Sequence, residues 1–138
     1  MLPKLILGGS YQDNRGVLKF NNAFDATLIK RIYTIENVDI DMVRAWQGHK
    51  IEQRWFTSVL GKFQIELIKV DDWENPSKEL NKTIFELSDE NADVLHVPKG
   101  HISSILAITE GAKLLAMSDY KLNEIQDEYK FSSDYFKN

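Results

Sequence analysis

Gln53-Arg54-Trp55-Phe56-Thr57-Ser58-Val59-Leu60-Gly61-Lys62-Phe63-Gln64-Ile65-Glu66-Leu67-Ile68-Lys69-Val70 is the stretch that decides the fold class. Two strand-like runs, residues 53–60 and 63–70, flank Gly61-Lys62. A two-residue loop with Gly first suits a type II′ turn, because Gly alone takes φ > 0 there without strain. The sequence therefore predicts a β-hairpin at its centre.

Working outward, short runs of period-2 character separated by turn residues continue in both directions. Upstream, residues 16–20 follow the turn Asp13-Asn14-Arg15-Gly16, and residues 29–35 place Ile29, Arg31, Tyr33 and Ile35 on one face. Residues 43–46 form a short run toward Gly48. Downstream come residues 83–87, 94–97, 102–108 and 113–117, punctuated by Ser88-Asp89-Glu90-Asn91, Pro98-Lys99-Gly100 and Glu110-Gly111. Eight or nine closely spaced short strands predict an all-β sandwich or barrel, residues 1–138 forming a single domain. The tail from Asp119 is read as partly helical or irregular, with Leu122, Ile125, Tyr129 and Phe131 packing across the barrel or onto a partner.

Bulk properties narrow the function. The 138 residues are 43% hydrophobic and 28% charged, as in a globular protein with a real core. There is no cysteine, which excludes a disulfide framework and any thiolate zinc site. No apolar run approaches the ~18 residues needed to span a bilayer, and the N-terminus lacks the pattern of a secretory leader, so the expectation is a cytoplasmic protein. A net charge of −4 argues against a nucleic-acid footprint. Lys30, Arg31, Arg44, Lys50 and Arg54 cluster nonetheless, which suits a small anionic ligand, although solvated strand faces would look the same.

Candidate catalytic groups are few. Gln47 and His49 lie two residues apart on an extended segment and so point to one side, with Glu52 and Gln53 following. His49 has the proton affinity for acid–base work at neutral pH; its plainer role is a hydrogen-bonded structural histidine. His96 alternates with Val94 on an apolar strand and reads as structural. His101 follows a Pro-x-Gly turn at a strand mouth, with Ser103 beyond it. Tyr33 shares a face with Arg31, where a phenol beside a guanidinium can shuttle a proton or simply pack. Arg44 and Arg15 suit phosphate oxygens, because guanidinium pairs bidentately with them. Arg44 has the wrong parity to share a pocket with Gln47 and His49 unless a bulge intervenes. Trp46 and Trp55 are core candidates. A metal held by Gln47, His49, Glu52 and His101 would be poorly supplied, since an amide is a weak ligand, and no metal or cofactor is expected.

These segments, in this order, resemble two related families of the cupin superfamily. Asp13-Asn14-Arg15-Gly16, Arg44-Ala45-Trp46-Gln47, Val70-Asp71 through Asn75-Pro76-Ser77, Leu87-Ser88 with Asn91, and Val97-Pro98-Lys99-Gly100 are similar to dTDP-4-dehydrorhamnose 3,5-epimerases. Ile29-Lys30-Arg31-Ile32-Tyr33, Arg44 through Gln53, and the ending Ser118-Asp119-Tyr120 with Asp127-Glu128-Tyr129 resemble the WxcM-like dTDP-4-oxo-6-deoxyglucose 3,4-ketoisomerases. The resemblance implies a double-stranded β-helix (jelly-roll) barrel, a homodimer, a dTDP-sugar bound without a metal, proton transfer beside a ketone, and a place in polysaccharide biosynthesis. It assigns Arg44 to the diphosphate, Arg15 to the nucleotide end and Tyr33 to the sugar site, and matches His49 to the second histidine of the ketoisomerases. An isomerase would then use His49 and Tyr33 for the protons, with Gln47, Arg31, Gln53, His101 and Ser103 as further substrate-binding candidates.

The departures are as informative. The family base falls at Gln47, whose amide cannot accept a proton at useful rates. The second histidine of the epimerases falls near Ser103 and their tyrosine at Leu115, so standard 3,5-epimerisation is not expected. Three functions stay open: an isomerase or epimerase of a nucleotide-linked 4-keto-6-deoxy sugar, a binding module that lost the base, and a metal-dependent cupin.

Overall fold

A computed structural model describes residues 1–136. Twelve strands follow one another in those residues: β1 (Lys4–Ile6), β2 (Gly9–Asp13), β3 (Gly16–Phe20), β4 (Arg31–Ile35), β5 (Val43–His49), β6 (Arg54–Leu60), β7 (Lys62–Lys69), β8 (Thr83–Ser88), β9 (Val94–Val97), β10 (His101–Ala107), β11 (Lys113–Ser118) and β12 (Tyr129–Lys130). They form two five-stranded sheets, ordered β1-β9-β6-β11-β4 and β12-β5-β10-β7-β8, plus the separate hairpin β2-β3. Every pairing is antiparallel. None of the described residues lies in a helix, so none forms a helix that could cross a membrane.

The alternation read from the sequence decides what lies between the sheets. Phe63, Ile65 and Leu67 of β7 meet Phe56 of β6, Leu95 and Val97 of β9, Ile105 of β10 and Leu114 of β11 in one buried cluster. Residues of opposite parity, Ile68 and Ile102, turn to the other face of their sheet. There they pack with Trp46, Val70 and Phe136.

Two expectations are corrected. Gly61 does take φ = 74°, but the flanking strands are not a hairpin. β6 pairs with β9 and β11, whereas β7 pairs with β8 and β10, so Gly61 carries the chain from one sheet to the other. A glycine turn reports a backbone reversal and does not specify which strands pair afterwards. The tail is not helical either. β12 adds to the free edge of β5, Tyr129 opposite Gly48 and Lys130 opposite Gln47, and Trp46 and Phe131 exchange backbone hydrogen bonds of 2.9–3.0 Å. An unpaired strand edge offers a row of backbone partners, and the aromatic rings of Phe131, Tyr135 and Phe136 then cover Trp46.

Candidate active site

Between the sheets lies a cavity of about 330 Å³, lined among others by Tyr33, Arg44, Gln47, His49, Arg54 and His101. A wider hollow of about 650 Å³ adjoins it, sharing Tyr33, Gln47, His49, Glu52 and Arg54 and walled by tail residues 121–129. Arg44 reaches the first cavity through the bulge its parity required. Gln47 pairs with Ser103 and Arg44 with Ile105, so three steps along β5 are matched by two along β10. The extra residue turns Arg44 to the side of Gln47 and His49.

His49 is the best-defined group. Its Nδ1 lies 2.9 Å from the Asp127 carbonyl oxygen. A carbonyl can only accept, so Nδ1 carries the proton and Nε2 keeps a free lone pair. Burial, reinforced by the Arg54 charge, pushes the imidazole below its ordinary proton affinity despite the opposing pull of the Asp127 carbonyl and of the carboxylates of Glu52 and Asp127. The ring is thus held neutral in one tautomer, as a base requires.

Asp127 does a second job from the tail. Its buried carboxylate accepts the backbone N–H groups of Lys50, Ile51 and Glu52 at 2.7–3.0 Å, which fixes the turn between β5 and β6. Glu52 follows that turn. Burial alone would raise its carboxyl, but the Arg54 hydrogen bond and charge, with Ser118 and His49, outweigh it and hold the group below the ordinary value. Glu52 Oε1 accepts from Arg54 Nη1 at 2.9 Å and Ser118 Oγ at 3.0 Å. Arg54 Nε donates to the Tyr33 hydroxyl oxygen at 2.9 Å. The guanidinium of Arg31 sits 5.1 Å from the centre of the Tyr33 ring and 3.8 Å from Glu52 Oε1.

The remaining sequence candidates separate. Ser103 lines the first cavity, its hydroxyl 3.3 Å from the Gln47 carbonyl oxygen. His101 pairs with His49 across β5 and β10 and donates from Nδ1 to the carbonyl oxygens of Pro98 (3.0 Å) and Lys99 (3.2 Å). Burial lowers its proton affinity against those two bonds, so it is a second neutral imidazole. Gln47 donates its amide to the Glu128 carboxylate. Gln53 lines neither cavity; its backbone N–H and side-chain amide bind the Asp119 carboxylate and its amide oxygen lies 2.6 Å from His96 Nε2. His96 also stacks on Trp55 at 4.9 Å, in keeping with a structural role. Arg15 is apart from both cavities, at the tip of the β2–β3 hairpin, with 84% of its side chain exposed and a 2.7 Å ion pair to Asp13.

The family model described as WxcM-like, C-terminal (FdtA) matches residues 3–138. The chain belongs to the WxcM-like, C-terminal family. A search of curated proteins gave no match. Among solved structures, the chain is similar to a His-to-Asn variant of a 3,4-ketoisomerase from Thermoanaerobacterium thermosaccharolyticum in complex with TDP-4-keto-6-deoxyglucose. The identity is 26%, over 98% of this chain and 93% of that one, with a TM-score of 0.72. A 3,4-ketoisomerase from Helicobacter canadensis matches at 25% identity over 90% and 89%, with a TM-score of 0.68. A dTDP-4-dehydrorhamnose 3,5-epimerase from Bacillus anthracis, at 14% identity over 96% and 75% with a TM-score of 0.69, shares the fold. The double-stranded β-helix barrel expected of the WxcM-like chain is therefore the one observed, with a strand in place of any helix in the tail.

Within this family member, sequence reasoning missed Ser118 and Asp127 at the site and placed Arg54 only in a basic cluster suited to a small anion, with no role of its own. Arg54 was legible in principle: it has the parity of Phe56, a core residue, so its side chain had to point inward. Nothing in the sequence pointed Asp127 back to the turn before β6. His49, Glu52 and Asp127 do bring ligand-type atoms within 4.8 Å of one another. As a metal set they fit poorly. His49 Nδ1, 3.8 Å from Glu52 Oε2, is engaged by the Asp127 carbonyl, the Asp127 carboxylate accepts three backbone donors, and Glu52 Oε1 is bound by Arg54 and Ser118.

Proposed function

We propose that the chain is an isomerase of a nucleotide-linked, dTDP-type 4-keto-6-deoxy sugar, shifting the ketone by proton transfer. The observation that carries this reading is His49, held neutral with Nε2 free in a cavity it shares with Tyr33 and Arg44. The similar ketoisomerase whose structure holds TDP-4-keto-6-deoxyglucose supports it.

In this reading Arg44 binds the diphosphate, while Arg31, Gln47, His101 and Ser103 border the sugar. His49 Nε2 takes the proton from the carbon beside the ketone. That C–H electron pair becomes the C=C bond of an enediol, and the carbonyl π pair moves to oxygen, which takes the Tyr33 hydroxyl proton. The enediol then reverses in the other sense. The neighbouring hydroxyl returns a proton to the Tyr33 oxygen, and His49 gives its proton to the former carbonyl carbon. Every proton removed is returned, so no oxidant or cofactor is needed. The protein works in this reading as a cytoplasmic homodimer in polysaccharide biosynthesis.

A specific observation favours a second reading. Gln47 stands where the resemblance puts a base, and its amide is tied to Glu128, so the site suits a binding module as well. Incubation with dTDP-4-keto-6-deoxyglucose in deuterium oxide, followed by NMR, separates the two. Deuterium at the two carbons between which the ketone moves, lost by on the order of 10³-fold in His49→Asn, is expected of the isomerase. Broadened thymidine signals without exchange would leave the binding module.

A further inference from the structure

Arg54, which the sequence reading placed only in a basic cluster, is the strongest feature to which neither it nor the resemblance gives a role in the chemistry. Its residue is 7% exposed. A buried guanidinium is costly unless its donors are engaged. Nε donates to Tyr33, and Nη1 faces Glu52, the Gln53 carbonyl and Ser118 at 2.9–3.2 Å. Nη2 has no hydrogen bond among the described residues. It is also not one of the fully enclosed orphan atoms, which are Arg31 Nε and Asn37 Oδ1. Nη2 is thus unpaired without being sealed in, on a residue that lines both cavities.

The other donors explain why Nη2 stays in place. Ser118 Oγ accepts from Nη1 and donates to Glu52, and Glu52 accepts from Nη1, which closes a triangle on one side of the guanidinium. The planar fork has no freedom left to turn Nη2 away. Its Nε bond also occupies the Tyr33 oxygen as an acceptor, so the Tyr33 proton is free to point elsewhere. One rigid cation therefore presents an unpaired donor and orients the phenol beside it.

We infer that Arg54 is a catalytic residue whose Nη2 donates to the sugar oxygen that becomes negative as the enediol forms, while its Nε aims the Tyr33 proton at that oxygen. This rests on the isomerase reading above. Donors fixed in advance where charge develops stabilise the transition state more than the ground state, so the effect falls on turnover and little on binding. The nucleotide end, held by Arg44, is untouched.

The test compares wild type with Arg54→Lys, which keeps the charge and loses the fork, and Arg54→Ala with added guanidinium ion. Deuterium exchange at the sugar, dTDP affinity by calorimetry and thermal melting are read for each. The expected result is exchange reduced on the order of 10²- to 10³-fold in Arg54→Lys with dTDP affinity within about threefold. Guanidinium ion should restore part of the exchange in Arg54→Ala, which a purely structural role would not give. If the Ala variant does not fold, Arg54→Lys decides. Exchange in folded Arg54→Lys within about threefold of wild type, or loss of dTDP affinity in parallel with exchange, overturns the assignment alone. Absence of exchange in wild type overturns the isomerase reading and this assignment together.

Discussion

Two residues apart on β5, Gln47 and His49 have opposite partners: Gln47 gives its amide to a carboxylate, and His49 gives its Nδ1 proton to a carbonyl. Only the second arrangement leaves a usable lone pair. The proton affinity of His49 is lowered first by burial and then by Arg54, which fixes the sign of a pH effect. In the proposed isomerase the base is the neutral ring, so activity is expected to fall as pH drops through the folded value. The acid limb of kcat/KM should therefore lie below the ordinary histidine value of 6.5. A pH profile of initial rates measures it, and a limb at or above 6.5 would mean that another group is the base. His49 and Tyr33 were legible because strand parity and the family resemblance both pointed to them, and Arg44 from the resemblance alone, against its strand parity. Asp127 was not, because what it satisfies is a turn of backbone N–H groups 75 to 77 positions earlier, and such a pairing leaves no local pattern.

At the scale of elements, β5 holds the site by being squeezed. A Cβ on Gly48 would collide with the His101 carbonyl oxygen and fall 2.6 Å from Ile102 Cα, all on the neighbouring β10. Only glycine lets the two strands approach closely enough for Gln47 and His49 to face Ser103 and His101. Gly48→Ala is expected to cost about 1–3 kcal/mol, as overpacking does, and to lower exchange further by moving His49 off its Asp127 partner. Thermal melting and the deuterium assay check this; an Ala variant with unchanged melting point and rate would show that β5 and β10 separate freely. Most strands were legible from their alternation, and the β5 bulge was demanded by the parity of Arg44. The partners of β6 and β7 were not, since Gly61 fixes a turn and leaves the choice of sheet to burial. Nor was β12, a two-residue strand that exists only because β5 has a free edge.

For the molecule as a whole, the position of Arg15 bears on assembly. The β2–β3 hairpin pairs with neither five-stranded sheet and exposes Tyr11, Val17 and Leu18. Exposed apolar side chains on a hairpin outside both sheets, Tyr11 facing Leu18 across its strands, suit contact with another chain. Arg15, at its tip, lines neither of the two adjoining cavities of its own chain. If it serves the nucleotide end, as the resemblance implies, it does so across a two-fold dimer, each hairpin reaching the cavity of the other subunit. A complementation experiment follows from the symmetry. Arg15→Ala and His49→Asn each disable both sites of a homodimer. In a mixed dimer one cavity combines His49 with the other subunit's Arg15, while its counterpart lacks both. Equal amounts, unfolded and refolded together, should recover about one quarter of wild-type exchange, since half the dimers are mixed and each has one complete site. Were Arg15 to act within its own chain, every cavity in the mixture would still lack one of the two groups, and mixing would recover nothing.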